Sequence, residues 1–292
     1  MPSSLPNPPR SPSDHPCFHS SAKAQWGRIH LPVAPECNIQ CGYCDRRYDC
    51  ANESRPGVTS RILQPRDAVP YLSTFLKSGI DISVIGIAGP GDALCDPERT
   101  LETIREVRRA WPGLLICLST NGLNLTGHID ELAAFGVTHV TITVNAVDPS
   151  VGEKIYSWVR ADGMFHRGRD AAELLLARQR EALKGLKAKG IAVKVNTVIL
   201  PGINDGHVEA IAATVAELGA DVMNCLPVIP VAGAPLSGLT PPSPDQLRRI
   251  RINASRHLPQ MSHCTRCRSD AVGLLQPDNP RDLAGNDLCC AS

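Results

Sequence analysis

Apolar runs and amphipathic stretches alternate along most of the chain. Strand-like apolar runs fall at 82–88, 114–119, 139–145, 191–200 and 221–229, and a shorter one at 28–34 precedes them. Between these, stretches 65–78, 97–110, 127–135, 170–189 and 207–218 repeat their apolar residues at helical spacing. Gly79, Gly136, Gly190 and Gly219 stand where those helices should end, each just before the next strand. The pattern predicts six β/α units followed by a last helix over 244–257, with Ser243 as its cap.

Repeated units of this kind give a parallel sheet with right-handed crossovers, and near-continuous apolar strands predict burial on both faces. Six units either close partway into a barrel or lie open as a doubly wound sheet, and periodicity does not separate the two. Either way, functional groups collect where strands end and loops begin. The loops at 86–92, 119–122 and 145–149 should therefore converge on one face.

At 292 residues the chain holds one large domain or two small ones, and a hydrophobic content of 42% supports a full core without help from metal. Thirty basic residues against 29 acidic ones leave a formal charge of +1, which argues against a nucleic-acid surface or a polybasic membrane patch. An aromatic content of 4% argues against base-stacking platforms. No signal peptide is visible, and no apolar run approaches the roughly 18–20 residues of a membrane span. Residues 1–14 are rich in Pro and Ser and are expected to be disordered, and 276–292 to form a flexible tail, leaving 15–275 as the folded part.

Twelve cysteines change the picture, because they cluster at 37/41/44/50, 264/267 and 289/290 instead of spreading as a secreted disulfide framework would. A reducing cytoplasm, with thiols kept for metal, is the economical expectation. Cys37, Cys41 and Cys44 read C-x-x-x-C-x-x-C. Three thiolates so spaced hold three irons of a cubane and leave the fourth iron open to a ligand. The alternative is a zinc knuckle closed by Cys50. His263-Cys264-Thr-Arg-Cys267 is a second metal-type pair needing a further ligand, for which Cys17 is available by count. Cys17 otherwise reads as a small buried hydrophobe, and Cys117, inside an apolar strand, as a buried structural thiol.

His30 lies close to the cysteines in sequence and is either a ligand or a capped surface histidine. Glu53 is a further candidate, with a salt bridge to Arg55 as its bland alternative. Gly86-Ile-Ala-Gly-Pro-Gly91-Asp92 lets the backbone approach a ligand, with Asp92 able to accept from an ammonium group, though an ordinary strand-to-helix turn has the same composition. Thr143 and Val195 sit in strands where side chain or backbone can flank a bound cofactor.

The three-cysteine loop after the first strand of a β/α repeat resembles the radical S-adenosylmethionine superfamily. His15-Pro-Cys17, Val33-Ala-Pro-Glu-Cys37-Asn-Ile-Gln-Cys41-Gly-Tyr-Cys44, Arg47-Tyr-Asp-Cys50-Ala-Asn-Glu-Ser-Arg-Pro-Gly57, and the segments 86–92 and 263–275 are together similar to the family within it that makes the nitrogenase iron–molybdenum cofactor precursor. The resemblance implies a partial (β/α)6 TIM-like barrel whose irregular N- and C-terminal extensions carry cluster ligands. It implies a radical-generating 4Fe–4S cluster on Cys37, Cys41 and Cys44, with S-adenosylmethionine flanked by Gly91, Thr143 and Val195. It also implies two precursor 4Fe–4S clusters, one on His30, Cys50 and Cys117 with Glu53 nearby, the other on Cys17, Cys264 and Cys267.

The implied activity fuses those two clusters with a carbide from the cofactor's methyl group and a sulfur, giving an eight-iron core. The alternative is another radical maturase with auxiliary clusters. Implied partners are iron–sulfur cluster donor and carrier proteins, a nitrogenase cofactor assembly scaffold and an electron donor, with no nucleic acid and no membrane. The length implies the short form, without a carrier-type C-terminal domain. Two departures from the family pattern stand out. A more acidic, histidine-containing stretch is replaced at 20–24, and Cys95 is an extra thiol in the glycine loop.

Overall fold

The computed structural model describes residues 9–77, 79 and 81–275. Six parallel strands form the body, in the spatial order β1 (Gly27–His30), β3 (Ile82–Ile87), β4 (Leu115–Thr120), β5 (His139–Thr143), β8 (Ala192–Ile199) and β9 (Val222–Pro227). They are the six expected runs, and the sheet curls into a half-barrel rather than lying open. A short antiparallel strand, β10 (Val272–Gly273), pairs with β1 and makes the sheet seven-stranded.

The helices α1 (Ala68–Leu76), α2 (Pro97–Ala110), α3 (Ile129–Ala134), α5 (Gly168–Ala188) and α6 (Val208–Glu217) connect the strands, with α4 (Pro149–Gly152) a single turn and α7 (Pro244–Ala254) following β9. Gly190 and Gly219 take φ of 70° and 91° after α5 and α6, a conformation that stops a helix and costs other residues a steric clash. Ser243 caps α7 as expected, accepting from the Gln246 amide while the Gln246 side chain accepts from its own.

Two features depart from the sequence reading. A second, three-stranded antiparallel sheet joins β2 (Ile39–Cys41), β6 (Tyr156–Ala161) and β7 (Met164–His166), and so braces the cysteine loop. These strands are too short, and too polar in the case of β6, to stand out by periodicity. Residues 9–14, expected to be disordered, include a capped 3-10 turn at Pro12–Asp14, and Arg10 lies over the Trp26 ring and donates to Asp81. The segments 1–8 and 276–292, with Cys289 and Cys290, lie outside the described residues.

The strands are buried on both faces, as expected, but the two faces differ. Ile29, Ile85, Ile87, Ile116, Leu118, Val140, Ile142, Val193 and Val195 point outward into one apolar core beneath the helices. The alternate positions turn inward and are polar: His30, Cys117, Ser119, Thr141, Lys194, Asn196 and Asn224 line the concave side. An apolar-run reading of 191–200 passes over this period-two polar stripe.

Two irregular segments complete the half-barrel. The N-terminal one puts His15 and Phe18 against the ring of His139, at the amino end of β5. The C-terminal one leaves Gln260, bridged to Met223 on β9, crosses to β10 beside β1, and so straps the open side of the sheet.

Candidate functional site: a three-cysteine loop beside an inner thiol cavity

The cysteine loop follows β1 and is held at every side. Gly42 donates to Ile155, Leu236 donates to Gly42, and the Gln40 amide reaches the Cys44 and Cys41 carbonyls at 2.6 and 3.0 Å. Tyr43 is buried, donates to Asn52 and accepts from Asn145 at 2.7 Å, tying the loop to the end of β5. Asn121, in the turn after β4, donates to Asn38 at 2.6 Å. The loops after β1, β3, β4 and β5 thus converge on one face, as the β/α pattern predicts.

Asp92 and Gly91 each have a structural role that sequence alone does not reveal. Asp92 is buried and its carboxylate accepts from Thr120, Leu94 and Asn121, so it binds the glycine loop to the turn after β4 and is not free for an ammonium ligand. Burial raises its pKa, against those donors. The Gly91 amide donates to Ala34 at 2.6 Å and the Asp92 amide to Glu36 at 2.7 Å, which turns both toward the cysteine loop. A Cβ on Gly91 would lie 1.9 Å from the Glu36 carbonyl oxygen. Glycine is required there by backbone-to-backbone packing.

The donor chemistry of the loop fits an iron–sulfur cluster. Cys41 and Cys44 are buried and Cys37 is partly exposed. Side-chain amides approach two of the sulfurs, Asn52 at 3.9 Å from Cys41 and Asn121 at 4.0 Å from Cys37. Such donors stabilise a metal-bound thiolate. Burial raises all three thiols, and the Arg46 guanidinium opposes that at Cys44 and Cys37. Among the described residues no three His, Cys, Asp or Glu side chains are gathered closely enough to hold a single ion. A cubane presents its irons at separate corners and accepts thiolates set further apart.

A second constellation lies inside the half-barrel. Cys17, Cys117, Cys264, Cys267, His30 and Glu53 all line one cavity. Cys17 comes from the N-terminal segment, Cys117 from the inward face of β4, and the other two thiols from the strap. His30 donates from Nδ1 to the Arg268 carbonyl at 3.0 Å, because a carbonyl can only accept. Its Nε2 therefore carries the lone pair, and the ring edge lies over Gly86 beside the Cys117 sulfur. A histidine fixed in this way is oriented as a ligand. Burial lowers its pKa to about 4, so the imidazole is neutral at pH 7.

Cys50 is buried but does not line this cavity. The fields acting on its thiol come from Cys44, Glu53 and Cys41, which sets it between the loop and the cavity. Glu53 makes no pair with Arg55: it accepts from Thr143 at 2.6 Å and from Asn196 at 3.1 Å. Burial pushes its carboxyl up to about 7. Thr143 therefore reaches Glu53, while the Val195 side chain is fully buried in the helix-side core, leaving only its backbone to flank a ligand. Cys95 is partly exposed, 3.8 Å from Arg160.

Sequence reasoning missed Lys194, Asn196 and Arg266, which line the cavity, and the asparagines 52, 121 and 145 that lock the loop. For Lys194 and Asn196 a signal existed in their spacing of two within an apolar strand.

Comparison with known proteins bears on this geometry. Residues 31–215 match the Radical SAM superfamily. The chain is similar to the FeMo cofactor biosynthesis protein NifB of Chlorobaculum tepidum, with 50% identity over 92% of this chain and 64% of that protein. It is similar also to the NifB proteins of Klebsiella pneumoniae (43% identity, 92% of this chain and 58% of that one) and Azotobacter vinelandii (43%, 91% and 53%). The chain thus spans less than two thirds of the length of these relatives. Among solved structures, the hydrogenase maturase HydG of Carboxydothermus hydrogenoformans aligns with a TM-score of 0.55 at 14% identity, over 79% of this chain and 51% of that one. Methylornithine synthase PylB aligns at 0.51 and 17%, over 86% and 76%. These last likenesses bear on the fold alone. Among the described residues no helix is long and apolar enough to cross a membrane.

Proposed function

This chain belongs to the Radical SAM superfamily, and from that premise we propose that it builds the eight-iron precursor of the nitrogenase iron–molybdenum cofactor. In this reading two 4Fe–4S clusters are the substrates, and S-adenosylmethionine provides the carbon that becomes the central carbide. A further sulfur completes the product. The observation that carries the reading is the pairing of two distinct thiol sets: a braced three-cysteine loop at the carboxyl edge, and a histidine- and cysteine-lined cavity within the half-barrel behind it. Similarity to the NifB proteins along 91–92% of this chain supports it.

Cys37, Cys41 and Cys44 would hold the resident cluster, which when bound supplies the electron that cleaves the S-adenosylmethionine sulfonium. The chain's own part is positional. Asn52 and Asn121 direct amide N–H groups at the thiolates, and Gly91 keeps the glycine loop against the loop's entry. Gly91 and the backbones of Thr143 and Val195 would flank S-adenosylmethionine, the Thr143 hydroxyl being turned to Glu53. His30 offers a neutral Nε2 and the inner thiols offer ligands to the two substrate clusters: His30 and Cys117 with Cys50 and Glu53 on one side, Cys17, Cys264 and Cys267 on the other. An imidazole is a more exchangeable ligand than a thiolate, which suits a cluster that must leave. Expected partners are proteins that donate clusters, an electron donor, and a carrier or scaffold that receives the product.

Anaerobic reconstitution followed by turnover with methyl-labelled S-adenosylmethionine tests this. Uptake of about twelve irons per chain and label recovered in an eight-iron cluster are expected. About four irons with full activity, or label that never enters the cluster, would overturn the proposal.

A further inference from the structure

Three buried side chains around the inner cavity carry N–H groups with no acceptor. Lys194, 8% exposed, stands on β8 between the outward Val193 and Val195, so its side chain enters the half-barrel. Among the described residues its ammonium makes no hydrogen bond or ion pair, and it rests 5.5 Å from the Phe18 ring centre. Arg266 lies on the strap between Cys264 and Cys267, at φ 52°. It donates from Nη2 to the Ala51 carbonyl at 3.2 Å and leaves Nε and Nη1 buried without an acceptor. His15 accepts at Nδ1 from the Cys17 amide at 3.1 Å, so its proton is on Nε2, which is also buried without a partner.

A buried donor left unsatisfied costs about 1–3 kcal/mol, and more when it is charged. Two side chains with such donors, joined on the same cavity by the Lys194 ammonium, call for a ligand rich in acceptors. The protein's own groups do not supply it. The Glu53 carboxyl is taken by Thr143 and Asn196. Thiolate-ligated iron–sulfur clusters are anions whose surface is made of sulfide, and they match this need in both charge and acceptor number.

We propose that Lys194 and Arg266, assisted by His15, form a cationic donor set that grips the sulfides of the substrate clusters from opposite sides of the cavity. Lys194 does so from the sheet and Arg266 from the strap. The inference rests on reading the cavity as the place where clusters are held. Their role is positioning: fixed donors keep the iron–sulfur core in place while its thiolate and imidazole contacts are exchanged.

The test uses the reconstituted protein with Lys194→Met, Lys194→Arg and Arg266→Met. Nearby positive charge and hydrogen bonds to sulfide raise a cluster's reduction potential. In Lys194→Met the potential of the inner clusters should fall and a chelator should remove their iron roughly tenfold faster, the cost of one charge-assisted hydrogen bond. The cluster on Cys37, Cys41 and Cys44 should keep its potential, and Lys194→Arg should restore most of the loss. Inner-cluster potentials and chelation rates equal to those of the parent protein in both Met variants would overturn the inference. If Lys194→Met does not fold, pulsed EPR of the reduced parent protein labelled with 15N-lysine decides. A 15N coupling to an inner cluster supports the contact, and its absence refutes it. Failure of the underlying functional reading is separate, since it shows as parent protein that takes up only about four irons.

Discussion

Asp49 accepts a 2.6 Å hydrogen bond from the Ser269 hydroxyl, joining the segment just beyond the cysteine loop to a strap 220 residues later. Thr59 donates to the same carboxylate from both its amide and its hydroxyl, which brings its hydroxyl oxygen against that of Ser269. Around this centre the Arg55 amide donates to the Cys267 carbonyl, the Ser60 amide to Asp270, and Arg268 to the Val58 carbonyl. The strap that presents Cys264 and Cys267 is therefore fastened to the extension of the loop that presents Cys37, Cys41 and Cys44. Replacing Asp49 with Ala leaves two hydroxyls and an amide without their shared acceptor. The loss should be about 2–3 kcal/mol in denaturant unfolding of the metal-free protein. It should be local, so limited proteolysis near 263–270 should accelerate well before cleavage elsewhere. Unchanged protection of the strap would show that the clasp does not hold it.

Gly91 gives a sharper contrast. A methyl group there would meet the Glu36 carbonyl oxygen at 1.9 Å, whereas one on Gly127 would meet nothing within 4 Å. Gly91→Ala should push the glycine loop off the residue that precedes Cys37, lowering the melting temperature by several degrees and reducing S-adenosylmethionine cleavage at least tenfold. Gly127→Ala should be neutral or slightly stabilising in the same assays. Equal behaviour of the two variants would remove the packing explanation for Gly91.

These two sites mark how far the sequence could be read. The six strands and the convergence of the loops after them follow from periodicity, because each strand has at least one apolar face and four of the five connecting helices end at a glycine. The cysteine loop follows from spacing, because three thiolates four and three residues apart serve little else. What periodicity cannot carry is the inside of the curl. Lys194 and Asn196 interrupt an apolar strand by only two polar positions, and Asn52, Asn121 and Asn145 acquire meaning only when separate loops meet. Cys17 and Cys264 are 247 residues apart and share a cavity through tertiary closure alone. Val195 shows the converse, since of the side chain or backbone that could flank a cofactor only the backbone faces inward. It sits at the right depth in the strand, but strand alternation turns its side chain into the outer core.

His139 makes acid sensitivity predictable. It is buried at the amino end of β5 with its ring 4.4 Å from that of His15, and burial, then the fields of His19 and Lys194, lower its pKa to about 4 from an ordinary 6.5. The unfolded chain therefore binds a proton near pH 6.5 that the folded chain refuses until about pH 4. Stability due to His139 is complete above 6.5 and is lost as the pH falls toward 4, at about 1.4 kcal/mol per pH unit. Denaturant unfolding of the metal-free protein between pH 7.5 and 5 should show this slope, with His15 and His30 adding to it. His139→Phe should reduce the slope by about one proton's worth. Parallel pH profiles for the two proteins would rule His139 out as a contributor.

Thr143 and Glu53 pose the last question, because Thr143 is expected beside S-adenosylmethionine yet donates to the Glu53 carboxylate at 2.6 Å. If Thr143 acts through Glu53, Thr143→Val removes the donor that fixes that carboxylate, and Glu53→Gln removes its charge, so both disturb one unit. Each should lower product formation about tenfold or more, and the double variant should be no worse than Glu53→Gln alone. Thr143→Ser keeps the hydroxyl and should restore activity. S-adenosylmethionine affinity should be unchanged in all of these, since the defect lies on the cavity side. Multiplicative losses together with weakened S-adenosylmethionine binding in Thr143→Val would instead place the threonine in direct contact with that molecule. Its bond to Glu53 would then be incidental to the chemistry.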